Sequence, residues 1–170
     1  MSAALSFDSV RSQAEGLNFR TQAFVDGRYV AAASGRTFDC LSPVDGRVLA
    51  QVARGEAEDV DRAVRAARAA FEDGRWADQA PARRKKVLLR FAELIEQHAT
   101  ELALLETLDM GKPIRDSLSI DVPATANCVR WYAEAIDKVY DEIAPTANNI
   151  VALLRREPVG VVGAIVPWNF

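Results

Sequence analysis

The chain has 170 residues, with 21 Lys and Arg against 24 Asp and Glu for a net charge of −3, and it is 49% hydrophobic and 26% charged. That length holds about one domain, or one and part of another, and the balance excludes wholesale disorder and argues against nucleic acid or an anionic membrane as the main partner. Two cysteines without CxxC spacing, Cys40 and Cys128, and the single histidine His98 exclude the common zinc sites, and the set reads as that of a reduced, cytoplasmic protein.

Residues 1–22 form an N-terminal arm in which Asp8, Arg11, Glu15 and Arg20 interrupt the apolar residues, so it lacks the apolar centre of an export signal. Asp26-Gly27 and Asp45-Gly46 each stand between short β-prone flanks and predict two tight turns or hairpins. From Glu56 to Asp73 the period changes to three and four residues, through Val60, Ala63, Val64, Ala67, Ala70 and Phe71. This is a helix with Glu56, Glu58 and Asp59 in its first turn. Pro81 opens a second helix with Val87, Leu88, Phe91, Leu94 and Ile95 on its apolar face, ending near His98. Leu102, Leu105 and Leu108 mark a third, from Glu101 to Asp109, stopped by Gly111 and Pro113. A fourth runs from Ile120 to Tyr140 with Val122, Ala126, Val129, Ala133 and Ile136 inward, and Cys128 beside them reads as core.

Asn149–Arg156 and Val159–Val166 are rich in β-branched residues and are split by Glu157-Pro158, which predicts two strands with a sharp change of direction. The second has almost no polar alternation, the pattern of a strand buried on both faces of a parallel sheet. The longest apolar run, Val159–Trp168, is too short to span a bilayer, which takes about 20 residues. The sequence stops at Pro167-Trp168-Asn169-Phe170, just past that strand, where ligands bind in open α/β sheets; the expectation is a truncated chain.

Gly160-Val161-Val162-Gly163-Ala164-Ile165-Val166-Pro167-Trp168-Asn169-Phe170, preceded by Arg156-Glu157-Pro158-Val159, resembles the signature of the NAD(P)-dependent aldehyde dehydrogenase superfamily. Leu105-Glu106-Thr107-Leu108-Asp109-Met110-Gly111-Lys112-Pro113 resembles a second family segment. Asp59-Val60-Asp61-Arg62-Ala63-Val64, with Ala66-Ala67-Arg68-Ala69-Ala70-Phe71, resembles a third. Within the family, Arg130-Trp131-Tyr132-Ala133-Glu134-Ala135-Ile136-Asp137-Lys138-Val139-Tyr140 is similar to γ-glutamyl-γ-aminobutyraldehyde dehydrogenases of putrescine breakdown.

The resemblance implies an α/β fold, with this chain as its N-terminal part. Residues 23–141 would carry the first hairpins and helices of a Rossmann-like cofactor domain, 142–157 an oligomerisation strand, and 158–170 the first buried strand toward the nicotinamide. It implies an enzyme that binds NAD or NADP, attacks an aldehyde with a cysteine thiolate, passes hydride to the nicotinamide and hydrolyses the thioester, in a homodimer or homotetramer. Asn169 would be the oxyanion stabiliser, a class of donor whose loss costs about 10² to 10³ in rate. The plain alternative is that Asn169 caps the strand end.

Ile165, Val166, Pro167 and Trp168, with Asn169, would line the cofactor, although sheet core also accounts for Ile165 and Val166. Phe170 would face the aldehyde tunnel, with Ile120 and Ala124 near its mouth, although helix packing explains those two equally well. A monovalent cation would sit by Cys40, Leu41 and Asp109, against the alternative that Asp109 is a solvated residue near a helix end.

The nucleophile, the glutamate base and the ribose-holding lysine of the family match nothing within these residues, and neither Cys40 nor Cys128 has the setting of an activated thiol. The chain alone is therefore expected to be inactive. The competing reading is a short module that pairs with full-length subunits through Asn149–Arg156. Arg83-Arg84-Lys85-Lys86 reads as a solvated face more readily than as an anion patch. Glu93 and Glu96 carry no mark of a paired-carboxylate site.

Overall fold

The computed structural model describes residues 6–166. A short helix that the periodicity does not announce, α1 (Phe7–Glu15), occupies the arm. Ser6 caps it, its hydroxyl accepting the Ser9 amide at 3.2 Å, and none of its residues is buried.

Strands β1 (Ala23–Val25) and β2 (Arg28–Val30) pair antiparallel. Between them Asp26 and Gly27 both take positive φ, 50° and 74°, as a two-residue hairpin turn with the right-handed strand twist requires. Phe24 and Tyr29, opposite each other, meet edge to face with ring centroids 5.1 Å apart. Strands β3 (Thr37–Leu41) and β4 (Val48–Ala53) form a second antiparallel pair around Asp45-Gly46, with a bulge between Cys40 and Leu41. Both expected Asp-Gly turns are present.

Helix α2 (Ala57–Glu72) begins where the acidic cluster predicts. Its apolar stripe is not sealed by these residues, however, and Val60 and Val64 are exposed. Helix α3 (Pro81–Gln97) starts on its proline, and α4 (Ala99–Met110) follows after His98 alone. Gly111 ends α4 with φ 80°, and a Cβ there would lie 3.1 Å from the Pro43 ring, so glycine is required on two counts. After the single turn α5 (Ile114–Asp116) comes a π-turn (Ser117–Asp121) that runs into α6 (Val122–Ala135).

The core lies where α3, α4 and α6 meet. Ile95, Ala103, Val122 and Ala126 are buried together, flanked by Ala99, Ile114, Leu118 and Val129. Ala92, Ala103, Ala126 and Ala133 have no exposed surface, and such small side chains let helix backbones close on one another. Ion pairs brace α3 against α6 near both ends. Lys85 Nζ reaches Glu134 at 2.6 Å and Asp137 at 3.3 Å, and Arg130 reaches Glu96 at 2.8 Å.

The α/β class holds, but three expectations change. The fourth helix ends at Ala135 and not at Tyr140, with Lys138 turning back onto the Ala135 carbonyl at 2.9 Å. Cys128 is exposed, because the inward stripe runs through Ala126 and Val129 and leaves Cys128 beside it. The two expected C-terminal strands form only in part. Residues 152–154 make β6 (Ala152–Leu154), which pairs antiparallel with an unforeseen β5 (Glu142–Ala144), while Val159–Val166 carries no strand. Among the described residues no strand lies against that run, so nothing offers it a ladder, and Val159 is 90% exposed.

Candidate functional site

The fold brings Cys40 and Asp109 together from 69 residues apart. The Cys40 thiol, beside the bulge of β3, donates to Asp109 Oδ1 at 3.1 Å, near the C-terminal end of α4. The hydrogen bond to the carboxylate, then burial, then the carboxylate's charge all push the thiol above its ordinary value. Cys40 is therefore held protonated at neutral pH, which removes it as a nucleophile.

The pair opens on a cleft of about 360 Å³ whose walls include Phe19, Thr21, Leu49, Glu101 and Glu106. Leu41, the third residue expected around a cation, is exposed at the end of β3. No cluster of three or more His, Cys, Asp or Glu side chains able to hold a metal occurs among the described residues, so a cation here would depend on backbone oxygens.

Ile120 and Ala124 lie one turn apart, Ile120 inside the π-turn and Ala124 in the first turn of α6, and both are exposed. Ile165 and Val166, at the end of the unpaired run, are exposed as well. Pro167, Trp168, Asn169 and Phe170 lie outside the described residues. The residues expected to serve the aldehyde and the cofactor thus stand on separate elements, whereas two of the three residues expected around a cation, Cys40 and Asp109, are in side-chain contact.

An ion cluster that sequence reasoning missed lies next to Ile120. Lys112, in the connection after α4, pairs with Asp121 at the end of the π-turn and lies 3.6 Å from Glu106 on α4. Asp121 holds the Lys112 ammonium above its ordinary value, with burial acting the other way and Glu106 adding to Asp121. A faint signal existed in the sequence. A lysine between a helix-ending glycine and a proline cannot stay in the helix, and an aspartate just before Val122-Pro123 stands where the next regular helix begins.

The basic run resolves into separate duties. Lys85 joins Glu134 and Asp137, Arg84 is half-buried, and Arg83 and Lys86 are exposed, so no shared anion patch forms. Glu93 and Glu96 each face an arginine, Arg90 at 2.9 Å and Arg130 at 2.8 Å. His98 caps the α3–α4 junction and lies 3.1 Å from Glu101. No helix among the described residues is long and apolar enough to cross a membrane.

Comparison with known proteins gives the arrangement a setting. The family model described as "Aldehyde dehydrogenase family" matches residues 29–170. The NADP/NAD-dependent aldehyde dehydrogenase PuuC of Escherichia coli (strain K12) is 54% identical over 160 residues, 94% of this chain and 32% of that protein. The solved structure of P. syringae AldA indole-3-acetaldehyde dehydrogenase, in complex with NAD+ and IAA, superposes with a TM-score of 0.94 at 56% identity, over 97% of this chain and 33% of that one. That of γ-glutamyl-γ-aminobutyraldehyde dehydrogenase from Burkholderia cenocepacia J2315 does so with a TM-score of 0.92 at 55% identity, over 95% and 33%. The chain thus spans about a third of the length of the relatives it matches, corresponding to their N-terminal part. On a family match that covers most of its residues, this chain belongs to the aldehyde dehydrogenase family.

Proposed function

We propose that this chain acts as the opening third of an enzyme that oxidises an aminoaldehyde, such as γ-glutamyl-γ-aminobutyraldehyde, to its carboxylic acid with NAD+ or NADP+. The observation that carries the reading is identity above 50%, over 95% or more of this chain, to an aminoacetaldehyde dehydrogenase of Pseudomonas aeruginosa and to the γ-glutamyl-γ-aminobutyraldehyde dehydrogenase of Burkholderia cenocepacia. When bound, the nicotinamide accepts the hydride. The apolar side chains of Ile165 and Val166, exposed and uncharged, suit contact with an aromatic ring, and in this reading they line the cofactor with Pro167, Trp168 and Asn169.

The Asn169 amide donates to the oxygen of the aldehyde as it gains charge, and Phe170, Ile120 and Ala124 border the path by which the aldehyde enters. Backbone oxygens near Cys40, Leu41 and Asp109 hold a monovalent cation that ties β3 to α4. Residues 1–22 form an arm, 23–141 the first part of the cofactor domain, 142–157 the oligomerisation segment and 158–170 the approach to the nicotinamide. The enzyme works in the cytoplasm as a homodimer or homotetramer, in breakdown of a polyamine such as putrescine, without nucleic acid or membrane partners.

In this reading the 170 residues alone do not turn over aldehyde, since the nucleophile and the glutamate base of the family match nothing within them. In the whole enzyme, kcat/KM for γ-glutamyl-γ-aminobutyraldehyde above that for indole-3-acetaldehyde supports the aminoaldehyde reading, and the reverse order overturns it. Asn169→Ala is expected to lower kcat by about 10² to 10³. NADH formation by the 170-residue chain itself would refute its inactivity.

A second reading is favoured by the exposed apolar side chains of the β5–β6 hairpin, Ile143, Leu153 and Leu154. As a short product, the chain would pair with full-length subunits through this hairpin. An intact mass near 18.6 kDa from native cells, with co-purification of a full-length subunit, selects this reading. A mass about three times larger rejects it, as expected from relatives of which the chain covers 32%.

A further inference from the structure

The π-turn decides which side of α6 faces the core. Ser117 is fully buried, and an α-helix continued from it would bring positions three, seven, eleven and fourteen further on back to the same face. Those positions are Ile120, Ala124, Cys128 and Trp131. All four are exposed, Ile120 by 50% and Trp131 by 65%. The buried positions are Val122, Ala126 and Ala133, the first of them five residues beyond Ser117, which is the spacing of one π-turn. The extra residue therefore rotates all of α6, exchanging one face for its neighbour.

A π-turn has poorer internal bonding than the α-helix around it and persists only where its surroundings hold it. Three tethers act here. The Asp121 carboxylate is sealed from solvent and paired with Lys112, which also lies against Glu106. Thr125 Oγ1 donates to the carbonyl of Asp121, the last residue of the turn, at 2.8 Å, while the turn itself is closed by the Val122 amide on the Ser117 carbonyl. Ser117 Oγ accepts from Thr107 Oγ1 at 3.5 Å, fixing the opposite end of the turn to α4.

We propose that Lys112 and Asp121 are positioning residues for the aldehyde entrance: their ion pair locks the π-turn in the register that turns Ile120 and Ala124 outward, and so sets the width of the aldehyde admitted. This rests on the reading above in which Ile120 and Ala124 border the entrance, but neither Lys112 nor Asp121 touches substrate. Removing the lock lets the turn relax toward regular helix, which draws Ile120 and Ala124 off the entrance without altering the reacting groups.

The test compares KM and kcat of the whole enzyme for acetaldehyde and for indole-3-acetaldehyde in Ile120→Ala, Asp121→Asn, Lys112→Met and Thr125→Val. Ile120→Ala should shift the ratio of the two KM values by roughly tenfold. Asp121→Asn and Lys112→Met should shift it in kind, with kcat for acetaldehyde held within about twofold. Amide exchange should rise in residues 118–122 and stay unchanged in the middle of α3, a pattern that general loss of stability does not give.

Thr125→Val keeps the ion pair and lies on the surface, so it tests the turn even where the charge variants fail to fold, and it should move the ratio in the same direction. A ratio that responds to Ile120→Ala but to no folded tether variant overturns the lock and leaves the entrance reading standing. A ratio indifferent to Ile120→Ala overturns both.

Discussion

The Cys40 thiol donates to Asp109 Oδ1 at 3.1 Å, joining the bulged end of β3 to the last turn of α4. One carboxylate thereby decides the chemistry of one of the two cysteines. Asp109→Asn is expected to bring the thiol back down toward its ordinary value and to speed its alkylation severalfold at pH 8 to 9. Cys128, which is exposed, should react first in the parent chain and at an unchanged rate in the variant. Peptide mass spectrometry after timed iodoacetamide treatment measures both, and equal Cys40 rates in parent and variant would contradict the assignment.

Asp59 is 8% exposed and serves two amides, Ala33 N at 2.9 Å and Glu56 N at 3.0 Å, so it fastens the start of α2 to the segment after β2. Asp59→Ala removes both acceptors and leaves two amides without their partner. The expected cost is about 1–2 kcal/mol in urea unfolding, whereas Asp61→Ala, on the exposed side of the same helix, should stay within about 0.5 kcal/mol.

Ala126 has no exposed surface and sits among Ile95, Ala103 and Val122. Ala126→Leu forces extra methylenes into that contact and is expected to destabilise by about 1–3 kcal/mol. Ala124→Leu, two residues away and exposed, should be nearly neutral. Equal effects in thermal denaturation would mean that α6 does not have the rotation described.

The Lys85 bridge carries a pH signature. Lys85 holds Glu134 below its ordinary value, and Lys138 with Lys85 does the same for Asp137, so the contribution of these carboxylates is present above their unfolded values. It is lost as pH falls through the lowered folded ones. Lys85 is raised, chiefly by Glu134, so its share is present below its unfolded value and is lost only as pH rises through the raised folded one. The difference in urea midpoint between parent and Lys85→Met should therefore be flat from about pH 6 to pH 9 and shrink below about pH 4. A difference that grows on acidification would refute the bridge.

Local features of this protein were legible in its residues because short-range physics determines them. Asp26-Gly27 and Gly111 must take positive φ, Pro81 must start a helix, and the three- and four-residue steps of α2, α3 and α6 fix helices whatever surrounds them. The inward stripe Val122, Ala126, Val129, Ala133 was readable for the same reason. Family membership was readable too, because the Gly160–Phe170 and Leu105–Pro113 segments resemble family segments, and the family model matches residues 29–170.

Tertiary structure decided the rest. Nothing local tells that Cys40 meets Asp109, since bringing together residues so far apart depends on how the β3–β4 hairpin lies against α4. Val159–Val166 reads as a buried strand, but a strand exists only with a neighbour, and no ladder partner lies against it among the described residues. The π-turn is the clearest case. Its extra residue is held by Lys112, Glu106 and Thr107 from outside the turn, so the break in helical period between Ser117 and Val122 was set by long-range contacts, although the inward stripe that follows it was readable.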